Sequence, residues 1–202
     1  TDIMIHGHGC SGGFIGSDFS GSYENCTAKG NVSGQWSVGG FAGILFYNSE
    51  AKHCVADVKI TANDWNAGGF VGYIEENVTI HNCISYGDVH SKVNRWEPNV
   101  GGFTGISNLN CSIDNSYAAG KVTAESTDYK AGGFDKGGRV TSCSYDAKKN
   151  PELKGVGETK TAGTNSILPQ DNVLSIICTA YYGDHDWDES KEIIKEKPTE
   201  VK

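Results

Sequence analysis

Short apolar segments, separated by glycines and polar residues, recur along the first two thirds of the chain, and none of them has a helical period. The recurring element is Gly-Gly-Phe, and its five copies are Gly12-Gly13-Phe14, Gly39-Gly40-Phe41, Gly68-Gly69-Phe70, Gly101-Gly102-Phe103 and Gly132-Gly133-Phe134. Successive copies are separated by 27, 29, 33 and 31 residues. A unit of this length cannot bury an apolar face alone, so the pattern predicts that the units stack on one another.

We therefore predict an all-β fold, a β-solenoid (β-helix-like) of about five stacked coils. Stacking places equivalent strands ~4.8 Å apart, which is the spacing of hydrogen-bonded strands in any sheet. Glycine suits the corners, where the backbone turns tightly or approaches another segment. The residues predicted to fill the lumen are Phe14, Phe41, Phe70, Phe103 and Phe134.

A second repeated position follows each Gly-Gly-Phe and holds a small residue after a polar one. The five pairs are Asn25-Cys26, His53-Cys54, Asn82-Cys83, Asn115-Ser116 and Ser142-Cys143. The chain has seven cysteines, an odd number that cannot all pair within one molecule. Because Ser116 occupies the same position, a bridge or a metal is disfavoured, and we interpret Cys26, Cys54, Cys83, Ser116 and Cys143 as small core residues that stack on their copies. Asn25 and Asn82 are interpreted as a corner ladder.

Composition and charge exclude several classes of protein. The 27 glycines and a hydrophobic fraction of 37% favour short strands and many turns over a thick core. A net charge of -8 without a basic stripe argues against a nucleic-acid partner. No segment approaches the ~20 apolar residues of a membrane span. Since the chain begins at Thr1, almost inside a repeat, we expect it to be part of a longer protein.

Three of the copies run on to glycine and valine, as in Asn115-Ser116-Tyr117-Ala118-Ala119-Gly120-Lys121-Val122. With the Gly-Gly-Phe elements, this pattern resembles the GLUG-motif repeat family over roughly residues 11 to 146. Departures from the family pattern are His53 in place of Asn and Asp135-Lys136 in the fifth copy. Similar repeats belong to bacterial surface proteins, including adhesin-like proteins and the non-catalytic regions of immunoglobulin-A-cleaving zinc metallopeptidases. The resemblance implies an extracellular location, either on the cell surface or secreted.

The repeats divide the chain into three parts. Residues 1–146 are predicted to form the solenoid of GLUG-like repeats. Residues 147–186 contain no recognisable repeat and are expected to form a C-terminal cap over the last exposed strand edges. Residues 187–202 mix acids and bases and include Pro198, which is typical of a linker or stalk tail.

Catalytic motifs are missing from the sequence, which contains no His-Glu-x-x-His, no Gly-x-Ser-x-Gly elbow and no phosphate-binding loop. Glu75 and Glu76 are adjacent and would point to opposite faces of a strand, so they do not form a glycosidase pair. His6, His8 and Cys10 share a strand face but lack a fourth metal ligand. We expect a non-catalytic segment with no metal and no cofactor, acting in adhesion or as a display spacer. The alternative is an accessory region of a secreted zinc metallopeptidase or a carbohydrate-active β-solenoid.

Aromatic residues recur just before the Gly-Gly pairs. Trp36, Trp65 and Tyr129 each lie three residues before a pair, and Trp96 lies five before its own. Stacked coils bring these four residues into a column along one corner. Large rigid aromatic faces bind sugars or proteins at low entropy cost, so a host glycan or host protein is the predicted partner. The other interpretation, which the sequence favours, is a packing ladder in which each ring only covers the corner beneath it.

Overall fold

The computed structural model describes residues 3–93, 98–108, 110–126, 130–135 and 140–156, and its regular elements there are all β-strands. In chain order the strands are β1 (Ile3–His6), β2 (Ser11–Gly12), β3 (Ile15–Phe19), β4 (Ser22–Glu24), β5 (Thr27–Gly34), β6 (Ser37–Gly39), β7 (Ala42–Phe46), β8 (Glu50–Lys52), β9 (Val55–Ala62), β10 (Asn66–Gly68), β11 (Val71–Ile74), β12 (Thr79–His81), β13 (Ile84–Ser85), β14 (Val89–Ser91), β15 (Asn99–Gly101), β16 (Thr104–Ser107), β17 (Ser112–Asp114), β18 (Tyr117–Ala118), β19 (Val122–Ala124), β20 (Lys130–Asp135), β21 (Val140–Thr141), β22 (Ser144–Tyr145) and β23 (Lys154–Val156).

These strands form three parallel sheets that every coil visits in the same order. Sheet A contains β1, β5, β9, β13, β14, β18, β19 and β22; sheet B contains β2, β3, β6, β7, β10, β11, β15, β16, β20 and β23; sheet C contains β4, β8, β12, β17 and β21. Equivalent residues pair in register, as Gly39, Gly68 and Gly101 do. The chain is a parallel β-solenoid, which confirms the predicted fold class. It makes about four turns, slightly fewer than the five coils predicted.

Sheet B has two arms that meet at the Gly-Gly-Phe corner. The first arm contains β2, β6, β10 and β15, the second contains β3, β7, β11 and β16, and β20 pairs with β15 and β16 and so runs through both. Inward side chains of the first arm, such as Val38, pack with Val32 and Ile60 of sheet A in one apolar cluster. The second arm and sheet C surround a larger cluster that contains the phenylalanines.

A continuous stack of phenylalanine rings fills this larger part of the lumen. The ring centroids are 5.0 Å apart from Phe14 to Phe41, then 4.8, 4.8 and 4.6 Å apart from Phe41 through Phe70 and Phe103 to Phe134. Phe41, Phe70, Phe103 and Phe134 are fully buried. Phe14, the first ring of the stack, is 49% exposed. It begins the stack, so only one of its ring faces is covered by another phenylalanine.

The corner between sheets C and A requires a left-handed backbone conformation in every coil. The polar residue of each repeated pair adopts it, with φ of 54° at Asn25, 51° at His53, 53° at Asn82, 43° at Asn115 and 51° at Ser142. Asparagine tolerates this conformation better than most residues. The side chains also connect the coils, since Nδ2 of Asn82 donates to Nε2 of His53 at 3.1 Å and Nδ2 of Asn115 donates to Oδ1 of Asn82.

Asn82→Ala is expected to lower the free energy of unfolding by about 2–3 kcal/mol. Alanine pays about 1 kcal/mol for the left-handed conformation, and the buried amide contacts to the two neighbouring coils are lost as well. Asn82→Gly is the matched control, because glycine adopts positive φ freely and loses only the amide contacts. Urea unfolding of the three proteins measures the difference, and an alanine variant as stable as the glycine variant would show that the backbone conformation is not the cause.

Parallel pairing continues past residue 146. Strand β23 pairs with β20, with Lys154 opposite Gly132 and Val156 opposite Asp135. Before β23, the buried Asn150 side chain takes the place of a next strand at the start of β19, since its Oδ1 accepts from the Val122 amide at 2.8 Å. Of the predicted cap, residues 147–186, the structure describes the part up to 156; its remainder and the predicted tail, 187–202, lie outside the described residues.

Candidate functional site

Sheets A and C present polar and charged columns on their outer faces. The column of sheet C contains Glu24, Lys52, His81 and Asp114, and Nδ1 of His81 contacts the Asp114 carboxylate. The corresponding column of sheet A contains His6, Ser33, Thr61, His90 and Thr123. Alternating charges and hydroxyls of this kind are typical of solvated faces.

Sheet B is different, because large apolar side chains occupy its outer face. Trp36 and Trp65, at the start of the first arm, are 61% and 64% exposed. On the second arm, Ile44, Tyr73 and Ile106 are register partners and are partly exposed. Exposed tryptophans that lie beside apolar neighbours are typical of interaction surfaces.

An open groove of about 350 Å³ lies on this face between the two arms. Its lining consists of Cys10, Trp36, Ser37, Ile44, Trp65 and Asn66, none of which is charged. A concave, mostly apolar surface with a few polar groups is the usual form of a small-molecule site. We call this feature the tryptophan groove.

The third glycine of each Gly-Gly-Phe-x-Gly element, at its fifth position, allows the two arms to come close enough to form the groove. A Cβ atom on Gly72 would lie 2.6 Å from the backbone nitrogen of Val38 and 2.9 Å from the carbonyl carbon of Ser37. Gly43 has the same relation to the preceding coil, where a Cβ atom would lie 2.6 Å from the nitrogen of Ser11. The second arm therefore packs backbone to backbone against the first arm of the coil before it.

Hydrogen bonds between coils fix the position of both tryptophans. The amide nitrogen of Asn66 donates to the Trp36 carbonyl at 2.8 Å, and that of Asn99 donates to the Trp65 carbonyl at 3.0 Å. Beside them runs a row of side-chain contacts, in which Nδ2 of Asn66 lies 3.0 Å from Oγ of Ser37. Because Trp36 and Trp65 belong to successive coils, the groove follows the solenoid axis.

The other two members of the predicted aromatic column, Trp96 and Tyr129, lie outside the described residues. The two described members are both more than half exposed to solvent, Trp36 at 61% and Trp65 at 64%.

A second aromatic cluster lies farther along the second arm and was missed by sequence reasoning. Phe19 stacks on Phe46 with centroids 4.9 Å apart, Tyr47 lies 5.7 Å from Phe19, and Tyr73 meets Phe46 edge-on at 6.2 Å. The signal in the sequence was weak, because only Phe19 and Phe46 are separated by a repeat step, 27 residues. This aromatic patch extends the apolar face beyond the tryptophan groove.

The cysteine column shows why Ser116 can replace a cysteine. The amide nitrogen of Cys54 donates to Sγ of Cys83 at 3.4 Å, and that of Cys83 donates to Oγ of Ser116 at 3.1 Å. The side chains of Cys83 and Ser116 each donate to the carbonyl two residues earlier. Cys83 donates to His81 at 3.3 Å, and Ser116 donates to Asp114 at 2.8 Å. Thiol and hydroxyl thus make the same two hydrogen bonds. Of the four predicted cysteines, Cys54, Cys83 and Cys143 are buried, and Cys26 is partly exposed.

The other reactive or metal-ligating side chains of the described residues do not lie together in one cluster. No disulfide joins the six cysteines of the described ranges, and Cys178 lies outside these ranges. Within the same ranges, no group of three or more His, Cys, Asp and Glu side chains could hold a metal ion. Nδ1 of His6 contacts Oγ of Ser33, whereas Cys10 lines the tryptophan groove.

No protein-family model matches this sequence, and comparison with curated proteins and with solved structures gives no significant match. In the part of the chain that the structure describes, no helix is long and apolar enough to cross a membrane.

Proposed function

We propose that this chain is a non-catalytic, extracellular binding segment of a bacterial surface or secreted protein, and that the tryptophan groove binds a glycan. The observation that carries the proposal is the pair of exposed indoles, Trp36 and Trp65, which are held one coil apart beside a groove. The polar columns of sheets A and C leave sheet B as the face with the strongest apolar character. The resemblance to GLUG repeats of surface proteins supports the extracellular setting.

The chemistry of the groove favours a neutral glycan over a charged one. Its six lining residues carry no charge, and the whole chain has a net charge of -8, which disfavours sulfated or acidic sugars. Indole rings pack against the apolar faces of sugar rings and supply contact area at low entropy cost. Because the groove follows the solenoid axis, an unbranched chain lying along that axis fits it best.

The double substitution Trp36→Ala and Trp65→Ala is expected to weaken glycan binding by at least ~30-fold, which corresponds to about 2 kcal/mol. The fold should survive, because both side chains are mostly exposed. The experiment is a screen of the purified chain against neutral and acidic glycans, mucins and immunoglobulins, followed by calorimetric titration of the best ligand.

Phe19→Ala is the matched control, since this ring is 64% exposed and lies on the same sheet outside the groove. It should leave glycan affinity within about twofold of the unchanged chain. Binding to immunoglobulin alone, or glycan binding that survives loss of both indoles, would contradict the proposed ligand. Turnover of a bound glycan or protein would contradict the non-catalytic role.

A further inference from the structure

We infer that Cys26 and Cys54 are a site of disulfide formation that links the first two rungs of the cysteine column. Formation of this bond in the protein's natural setting rests on the extracellular location proposed above. The ability of the two thiols to form it depends only on their placement in the fold.

The two residues are direct neighbours in adjacent coils. Thr27 pairs with Val55 in register, and the Val55 amide nitrogen donates to the Cys26 carbonyl at 2.9 Å, so Cys26 and Cys54 immediately precede paired positions. Both side chains face the lumen, where Cys26 packs against the apolar cluster that contains Cys54. Neighbouring strands lie about 4.8 Å apart, which is within the range of about 4.4–6.8 Å between the Cα atoms of a disulfide.

Access and freedom of movement single out this pair. Cys26 is partly exposed, so an oxidant can reach its thiol. It is also the first residue of the cysteine column, so no other cysteine of the column packs on its outer side. Cys54 and Cys83 are also neighbours, but both are buried and each is held between other rungs. Forming the bond requires the two Cβ atoms to approach by about 1 Å, from about 4.8 Å to about 3.8 Å, and Cys26, at the end of the column, is the residue placed to make that movement.

Thiol–disulfide exchange with a small-molecule disulfide provides a balanced route. The Cys26 thiolate attacks oxidised glutathione, which forms a mixed disulfide and releases one glutathione thiolate. The Cys54 thiolate then attacks Sγ of Cys26 and expels the second glutathione. Two protein thiols lose two protons and two electrons, and one glutathione disulfide is reduced to two thiols.

The surroundings favour the second step over the first. Burial raises the pKa of the Cys26 thiol, so the initial attack is slow. A hydrogen bond from the Cys83 thiol lowers the pKa of Cys54, which increases the thiolate available to resolve the mixed disulfide. The mixed disulfide should therefore not accumulate.

The test uses the chain with Cys10→Ser and Cys178→Ser, so that the other accessible thiol and the cysteine outside the described residues cannot react. After incubation of the folded protein with reduced and oxidised glutathione, peptide mass mapping without reduction should find Cys26 linked to Cys54, lighter by two hydrogens. The oxidised chain should melt about 5 °C or more above the reduced chain, because the bond closes a long loop. Adding Cys26→Ser should abolish both changes, and Ser116 shows that serine fits this position.

Three results would overturn the inference: a stable glutathione adduct on Cys26, a bond that forms only in denaturant, or a bond that lowers the melting temperature. Glycan binding by Trp36 and Trp65 is measured separately under reducing conditions. Failure of the disulfide and failure of the proposed function are therefore distinguishable.

Discussion

Phe70→Ala is expected to lower the free energy of unfolding by about 3–5 kcal/mol. Phe70 is fully buried and stacks at 4.8 Å on both Phe41 and Phe103. Removing the ring leaves a cavity in the middle of the stack, and the two neighbouring rings each lose a partner face. The backbone hydrogen bonds between coils prevent the coils from closing over the gap, so the cavity persists. Chemical unfolding followed by tryptophan fluorescence measures the loss.

Phe14→Ala is the control for this substitution, because the same residue type occupies the same repeat position at the open end of the stack. Its ring is 49% exposed and stacks on one phenylalanine, Phe41, so the expected loss is about 1–2 kcal/mol. If the two variants lost the same free energy of unfolding, a ring in the middle of the stack would contribute no more than the ring at its open end, which would contradict a shared core.

Gly72→Ala is expected to abolish the native stacking of the second and third coils and to cost more than about 3 kcal/mol. The added Cβ would lie 2.6 Å from the nitrogen of Val38 and 2.7 Å from the carbonyl oxygen of Gly43. Both are backbone atoms held by hydrogen bonds between strands, so neither can move without breaking the contact between the two arms of sheet B. Circular dichroism and the urea midpoint of the purified variant measure the effect.

Gly9→Ala is the matched control, since a Cβ at that position has no heavy atom within 4 Å. The midpoint should stay unchanged or rise slightly, because alanine reduces the freedom of the unfolded chain. A Gly72→Ala variant with an unchanged midpoint would contradict the close approach of the two arms.

Much of the architecture could be predicted from the repeat, because in stacked coils residues that are one repeat apart in the sequence lie next to each other in register. The period predicts that Phe41, Phe70 and Phe103 lie on consecutive rungs, as they do in the structure. The exposure of Phe14 could not be obtained in this way, since it depends on where the stack ends and not on the repeat. The sequence predicts that the glycines serve corners or close approach, and the structure shows that Gly72 serves close approach between the two arms.

The candidate site was predictable only in part. The spacing of Trp36 and Trp65 relative to the Gly-Gly pairs predicts a column, but it does not predict how far the two side chains are exposed, because exposure depends on the angle between the two arms. That angle also brings Ile44 and Cys10 to the groove, and neither residue carries a repeat signal that points to it. The repeat does not predict the aromatic patch around Phe46, because Tyr47 and Tyr73 do not recur at the repeat step.

The most direct test of the stacked-coil architecture is a nuclear Overhauser experiment on the chain with selectively labelled phenylalanine rings. The structure predicts cross-peaks between the rings of Phe41 and Phe70 and between those of Phe70 and Phe103, whose centroids are 4.8 Å apart in both pairs. It predicts none between Phe41 and Phe103, which are separated by the ring of Phe70. Cross-peaks that are missing from both neighbouring pairs in the folded protein would contradict a shared lumen.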